Sequence, residues 1–207
     1  MEEAIKWYRK AAEQGVAVSQ YNLGLVYAQG DGVEQDLVEA RHWWSAAADQ
    51  GHTEAQYYLG VIYANGLGVE TDYEEASKWF GIAAEQGHPS AQYNLGIMYQ
   101  EGMGVEKDIE KAINLFFSAA EYGNVDAQHA IGVIHFQGNG VRKNRKTSFR
   151  FFKEAAEQGH ADAQYYLAIQ YHDGLGVEKD YDEAMRWIRA AAEQGHEGAI
   201  DILKEEE

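Results

Sequence analysis

The sequence contains no cysteine and a single proline in 207 residues. The first absence removes disulfides, thiolate nucleophiles and cysteine-based zinc sites. The second fits a chain that is mostly helix, because proline interrupts helices. No apolar run approaches the ~18–20 residues of a membrane span. No basic, then apolar, then small-residue start marks a signal peptide. Neither a transmembrane segment nor a signal peptide is therefore expected in this chain, and no membrane insertion; the compartment stays open. Cations are scarce: 17 lysines and arginines stand against 34 acids, for a net charge of −17. Such a surface repels nucleic-acid phosphates and anionic membranes, so no nucleic-acid partner is expected.

What the sequence has is a period. A glycine recurs at Gly15, Gly51, Gly87, Gly123, Gly159 and Gly195, a constant step of 36 residues. A strict period of this length marks a solenoid, in which each repeat stacks on its neighbours. We read one solenoid domain over 1–207. It has a half-repeat at 1–14, full repeats at 15–50, 51–86, 87–122, 123–158 and 159–194, and a terminal half-repeat at 195–207.

Each repeat holds two helical patterns. In 51–86, Ala55, Leu59, Ile62 and Tyr63 share one apolar face, and Ala76, Trp79, Phe80, Ala83 and Ala84 share another. Gly66 and Gly87 are placed to close the two helices in a left-handed cap. Asp72 with Glu75 forms a capping-box pattern, repeated at Asp36/Glu39 and Asp180/Glu183. Pro89 suits a first helical position. Gly24, Gly60, Gly96, Gly132 and Ala168 leave room for the bulky Trp44, Phe80, Phe116, Phe152 and Ile188. One helix pair cannot bury these faces alone, so an all-α stack of about twelve helices follows.

The stretch AQYYLGVIYANGLGVETDYEEASKWFGIAAEQGH resembles the Sel-one-like repeat (SLR) family, relatives of the tetratricopeptide repeat, and the match covers essentially the whole chain. The resemblance implies an all-α, right-handed α/α superhelical solenoid of antiparallel helix pairs, with first helices lining a concave groove. It also implies a non-catalytic scaffold or adaptor that binds a protein or peptide there.

On that reading the groove side carries a ladder of Tyr21, Tyr57, Tyr93, His129 and Tyr165. A tyrosine buries area at low entropy cost and offers a hydroxyl. The same rings, being nearly invariant along the chain, also suit packing against the next first helix. Positions that change from repeat to repeat are the second set of candidates: Asn65, Glu101, Phe136 and His172, together with Val18/Glu54/Ser90/Asp126/Asp162. A third candidate is a basic cluster, Arg142, Lys143, Arg145 and Lys146. It lies in the one full repeat that is net positive, and could seat an acidic segment.

Chemistry of other kinds finds little support. His52, His88, His160 and His196 all follow the end glycine, a structural slot, and His42, His129, His135 and His172 are scattered. His129 and His135, six apart, face different sides of a helix. No metal or cofactor is expected, and no catalytic residue. A disulfide-rich branch of the SLR family has been associated with β-lactam hydrolysis. This chain lacks that branch's cysteines, and none of its serines sits in S-x-x-K. A hydrolase of that type and a glycan-binding module on the tyrosine ladder are the alternatives to a scaffold.

The ends differ from the middle. Lys204 and Glu205 stand where the packing glycine and an apolar residue belong, and Glu205-Glu206-Glu207 reads as a polar cap. Residues 1–14 carry Trp7, Tyr8, Ala11 and Ala12 with no first helix before them. Met1 is read as the start of a fragment, and this face as a surface for self-association.

Overall fold

The computed structural model describes residues 2–205. Among them are twelve helices: α1 (Glu2–Glu13), α2 (Ala17–Gln29), α3 (Leu37–Ala48), α4 (Thr53–Asn65), α5 (Tyr73–Glu85), α6 (Pro89–Glu101), α7 (Ile109–Glu121), α8 (Val125–Gln137), α9 (Arg145–Glu157), α10 (Ala161–Asp173), α11 (Tyr181–Glu193) and α12 (Glu197–Glu205). No strand occurs in the described residues, and none of these helices is long and apolar enough to cross a membrane. The architecture is an all-α repeat solenoid. The chain forms two compact bodies, residues 1–112 and 113–207, and the division falls within α7.

In the N-terminal body the even-numbered helices are the first helices of repeats. α2 packs on α3 and α4 on α5, while α1, α3 and α5 each pack on the helix that follows. The C-terminal body repeats the scheme with α8/α9, α10/α11 and the α9/α10 and α11/α12 neighbours. One pairing builds one core: Ala40, Trp44, Ala47, Ala55, Leu59 and Ile62 in the first body, Phe152, Ala155, Ala163, Leu167 and Ile188 in the second. Full burial of a side chain such as Leu59 contributes about 2–3 kcal/mol.

The small residue of three first helices, α2, α4 and α8, has the expected packing role. A Cβ at Gly24 would lie 2.5 Å from Trp44, at Gly60 2.5 Å from Phe80, and at Gly132 2.5 Å from Phe152. The connector glycines serve a second close approach. Gly176 has φ +86°, and a Cβ there would collide with the carbonyl oxygen of Arg145. Only glycine combines that φ with that clearance.

The caps follow the sequence with two corrections. Gly30, Gly66, Gly102, Gly138 and Gly174 close the first helices in the left-handed conformation, as Gly66 was expected to do. Gly87 sits one residue beyond the cap Gln86, at φ +85°. Pro89 occupies the first turn of α6. Asp36, Asp72 and Asp180 accept the N–H of Glu39, Glu75 and Glu183 at 2.9–3.0 Å. The other half of the box is not formed. The N–H groups of those aspartates donate to the carbonyls of Tyr27, Tyr63 and Tyr171 instead, which ties each second helix to its own first helix.

A buried amide network holds successive helices together. Gln20, Gln56, Gln128 and Gln164 each donate Nε2 to a carbonyl near the end of the preceding second helix: Ala12, Ala48, Ala120 and Ala156. Each also accepts, at 2.7–2.8 Å, from the Nε2 of Gln50, Gln86, Gln158 or Gln194. Buried polar groups need such partners, and here they are repaid between helices.

At the ends, Trp7 is 63 % and Tyr8 38 % exposed, whereas Trp44 and Phe80, which stand at the Tyr8 position of their repeats, are buried. Lys204 is exposed and pairs with Asp201 at 3.1 Å. Met1, Glu206 and Glu207, to which the fragment start and part of the acidic cap were assigned, lie outside the described residues.

Candidate functional site

The ladder rings are half-buried, and Tyr21, Tyr57, His129 and Tyr165 stack on the residue that opens the next first helix. Tyr21 lies on His52 with centroids 4.6 Å apart, Tyr57 on His88 at 4.4 Å, His129 on His160 at 4.4 Å and Tyr165 on His196 at 4.4 Å, with planes within about 22° of parallel. The packing role considered for these rings is therefore present in each of those pairs. Tyr93 is half-buried at the same register. Burial pushes the Tyr21 phenol up to about 12, with Tyr58 and Glu54 adding to it, and raises Tyr57 in the same way. Both stay protonated and can donate at any physiological pH.

The histidines below the rings are N-caps. Nδ1 of His52, His88, His160 and His196 accepts the N–H three residues on, at 3.1–3.3 Å. Nε2 then carries the proton. It faces a carboxylate of the preceding first helix: Glu54 at 3.2 Å for His88, Asp126 at 3.6 Å for His160 and Asp162 at 3.4 Å for His196. The acids at the variable position thus steady the next cap. This pairing was missed in the sequence, although its signal is there: acid stands at 54, 126 and 162 where histidine follows at 88, 160 and 196, and Ser90 is followed by Asn124.

His129 is the ladder's exception. Burial, with His160 beside it, lowers it to about 4, and its Nε2 is buried without a hydrogen-bond partner. Ligand atoms of His129, His160 and Asp162 lie within 4.8 Å of one another. The two imidazoles are stacked, so their lone pairs lie in nearly parallel planes 4.4 Å apart instead of converging on one ion. The arrangement matches the Tyr57–His88 stack, with histidine in place of tyrosine.

The remaining candidates separate. Asn65 bonds back to its own helix at the Val61 carbonyl, 2.9 Å away, and Glu101 accepts from Gln100 at 2.8 Å. His172 Nδ1 and Asp173 Oδ1 are 2.8 Å apart. The basic cluster is not one patch. Arg142, Lys143 and Lys146 are exposed on the loop and the start of α9. Arg145 lies with its guanidinium 3.8 Å above the Phe136 ring, facing a first helix.

One property unites the first helices. α2, α4, α6, α8 and α10 contain no lysine or arginine, while they carry the ladder and Glu54, Glu101, Asp126, Asp162 and Asp173. Beside two of them lie clefts, one of about 270 Å³ next to α4 bordered by Val61, Asn65, Tyr73 and Phe80, and one of about 260 Å³ next to α10 bordered by Ile169, His172, Asp173 and Ile188.

The Sel1 repeat pattern matches residues 1–16, 17–52, 53–88, 89–124, 125–160 and 161–196. The chain belongs to the Sel1 repeat family. Its fold is that of solved Sel1 structures. The protective antigen c5321 of uropathogenic Escherichia coli, which displays an SLR fold, is 41 % identical with a TM-score of 0.91, over 95 % of this chain and 42 % of its own. A Sel1 repeat protein from Oxalobacter formigenes is 34 % identical with a TM-score of 0.92, over 100 % of this chain and 60 % of its own. The chain thus spans about half the length of these relatives. Immunity protein Pa5087 of Pseudomonas aeruginosa, 21 % identical with a TM-score of 0.58 over 91 % of this chain and 72 % of its own, shares the fold alone. No curated protein matches. Sel1 repeats and this solenoid fold make the chain a protein-interaction repeat protein in general terms.

Proposed function

We propose that this Sel1 repeat chain is a non-catalytic scaffold that binds a protein or peptide segment on its first-helix face. The observation that carries the reading is the composition of that face. The five first helices all present aliphatic residues and no lysine or arginine, with tyrosines in all but α8 and carboxylates in all but α2. The clefts beside α4 and α10 supply apolar depth. An acidic, aromatic face suits a segment that is basic and apolar, because complementary charge steers encounter and buried aromatic area holds the complex. Arg142 and Lys143 on the loop, with Lys146 at the start of α9, form a second contact for an acidic stretch of the same partner.

Selection of a displayed peptide library on the immobilised chain, followed by hydrogen exchange of the complex, tests this. The expected result is enrichment of basic-aromatic peptides and protection along α2, α4, α6, α8 and α10. A footprint on the second helices and loops alone sinks the proposal.

A further inference from the structure

The cleft recurs at one register of the repeat. Val61, Ala64, Asn65, Tyr73, Phe80 and Asn94 border it in the second full repeat. Three repeats on, the same positions are Ile169, His172, Asp173, Tyr181, Ile188 and Ile202. At about 260 Å³ the latter is smaller than a site for a drug-sized ligand, and suits one large side chain.

The fourth repeat shows what such a side chain is. There the position of His172 is Phe136, that of Ile188 is Phe152, that of Ile202 is Tyr166 and that of Tyr181 is Arg145. The Phe136 ring packs against the stacked Phe152–Tyr166 pair, 6.1 Å from Phe152 and 5.6 Å from Tyr166, with the guanidinium of Arg145 over it at 3.8 Å. That repeat fills its own cleft with a phenyl ring under a cation.

In the fifth repeat both filling groups are gone. Ile188 replaces the aromatic wall and His172 the plugging ring, and Tyr181 replaces the arginine. The mouth gains an acid: Asp173 stands where the fourth repeat has Gln137. One Asp173 oxygen is held by His172 Nδ1 at 2.8 Å, and the side chain is half exposed, which leaves the other oxygen to accept from outside. The cation nearest in sequence on the second helix, Arg186, is engaged by Glu183 at 3.1 Å and lies over Trp187.

We propose that the fifth-repeat cleft takes a phenylalanine side chain of a partner segment, and that Asp173 receives the arginine or lysine beside it. The partner thus supplies in trans the ring-and-cation pair that the fourth repeat supplies from its own chain. This deepens the scaffold reading and rests on it.

Isoleucine-methyl NMR of the full chain tests it, with acetyl-Gly-Phe-Arg-Gly-amide as probe. The methyls of Ile169, Ile188 and Ile202 should shift saturably. Phe→Ala in the probe should abolish the shifts, and Arg→Glu should weaken binding about five-fold, the upper range for an exposed ion pair. His172→Phe, which copies the fourth repeat, should abolish binding with the melting temperature retained. Asp173→Asn should keep the ring and lose the preference for arginine over glutamate. Unmoved methyls, or equal binding to His172→Phe, overturn the cleft. Equal binding of the arginine and glutamate probes to the wild type overturns the role of Asp173. A longer selected peptide that protects the first helices while leaving these methyls unmoved overturns the cleft alone. Protection elsewhere overturns the scaffold reading with it.

Discussion

Gly132→Ala should destabilise the C-terminal body by up to about 2 kcal/mol, although alanine is the better helix former. The added Cβ would lie 2.5 Å from Phe152 Cδ1, closer than real contacts allow. Phe152 cannot retreat easily. It is fully buried, and its ring is stacked on Tyr166 at 5.0 Å with planes 7° apart. Overpacking of such a core costs about 1–3 kcal/mol, while the gain in helix propensity offsets about 1 kcal/mol of it. The chain contains its own control, since the fifth repeat has Ala168 and Ile188, both buried in one core, at the positions of Gly132 and Phe152. Phe152→Ile alone should cost about 1–3 kcal/mol by leaving a void. In the Gly132→Ala background the same change should cost at least about 1 kcal/mol less, because the methyl occupies part of the void. Urea denaturation of the four proteins, compared at constant m-value, measures the coupling. Additive costs, or a Gly132→Ala protein more stable than the wild type, would refute the close-packing argument.

Three further outcomes follow from the same structure. His129 is lowered from 6.5 to about 4 in the folded chain, so between those values the unfolded chain binds the extra proton and stability falls as pH falls. That shift corresponds to roughly 3 kcal/mol at most. His129→Tyr should flatten the stability profile from pH 6.5 down to 4, and equal acid sensitivity of the two proteins would remove His129 as the cause. Gln164→Leu should lower stability by about 1–3 kcal/mol by stranding the Gln194 amide and the Ala156 carbonyl. Gln92→Leu should cost less, since Gln92 Oε1 already has no partner, and thermal melts that rank the two the other way contradict the network. Asp180→Ala should cost about 1 kcal/mol and Asp180→Asn much less, read from the same melts, because the side chain accepts the Glu183 N–H and asparagine keeps that acceptor.

Much of the fold was legible because it is local and repeated. Helix ends were marked by Gly30, Gly66 and Gly102, starts by Asp36, Asp72 and Pro89, and the close approach of helices by Gly24 and Gly60 opposite Trp44 and Phe80. The capping box was half wrong, because a tertiary acceptor, the Tyr63 carbonyl, takes the Asp72 N–H that the local pattern assigns to Glu75. The candidate site was less legible. The ladder tyrosines were named and the histidines at 52, 88, 160 and 196 placed in a structural slot, but not their stacking, since Tyr57 and His88 are brought together only by packing of one repeat on the next.

Period, helix count and the positions of packing residues follow from the sequence alone, because they depend on spacing within one helix or one repeat and are repeated five times. Which acid steadies which histidine was a tertiary matter, as Glu54 meets His88 across a helix junction. So was the splitting of the basic cluster, in which Arg145 lies over Phe136 while Arg142, Lys143 and Lys146 stay exposed. The cleft beside Ile188 belongs to the same class. Its residues come from three helices, and a cavity exists only where the volumes of all its walls are summed in space.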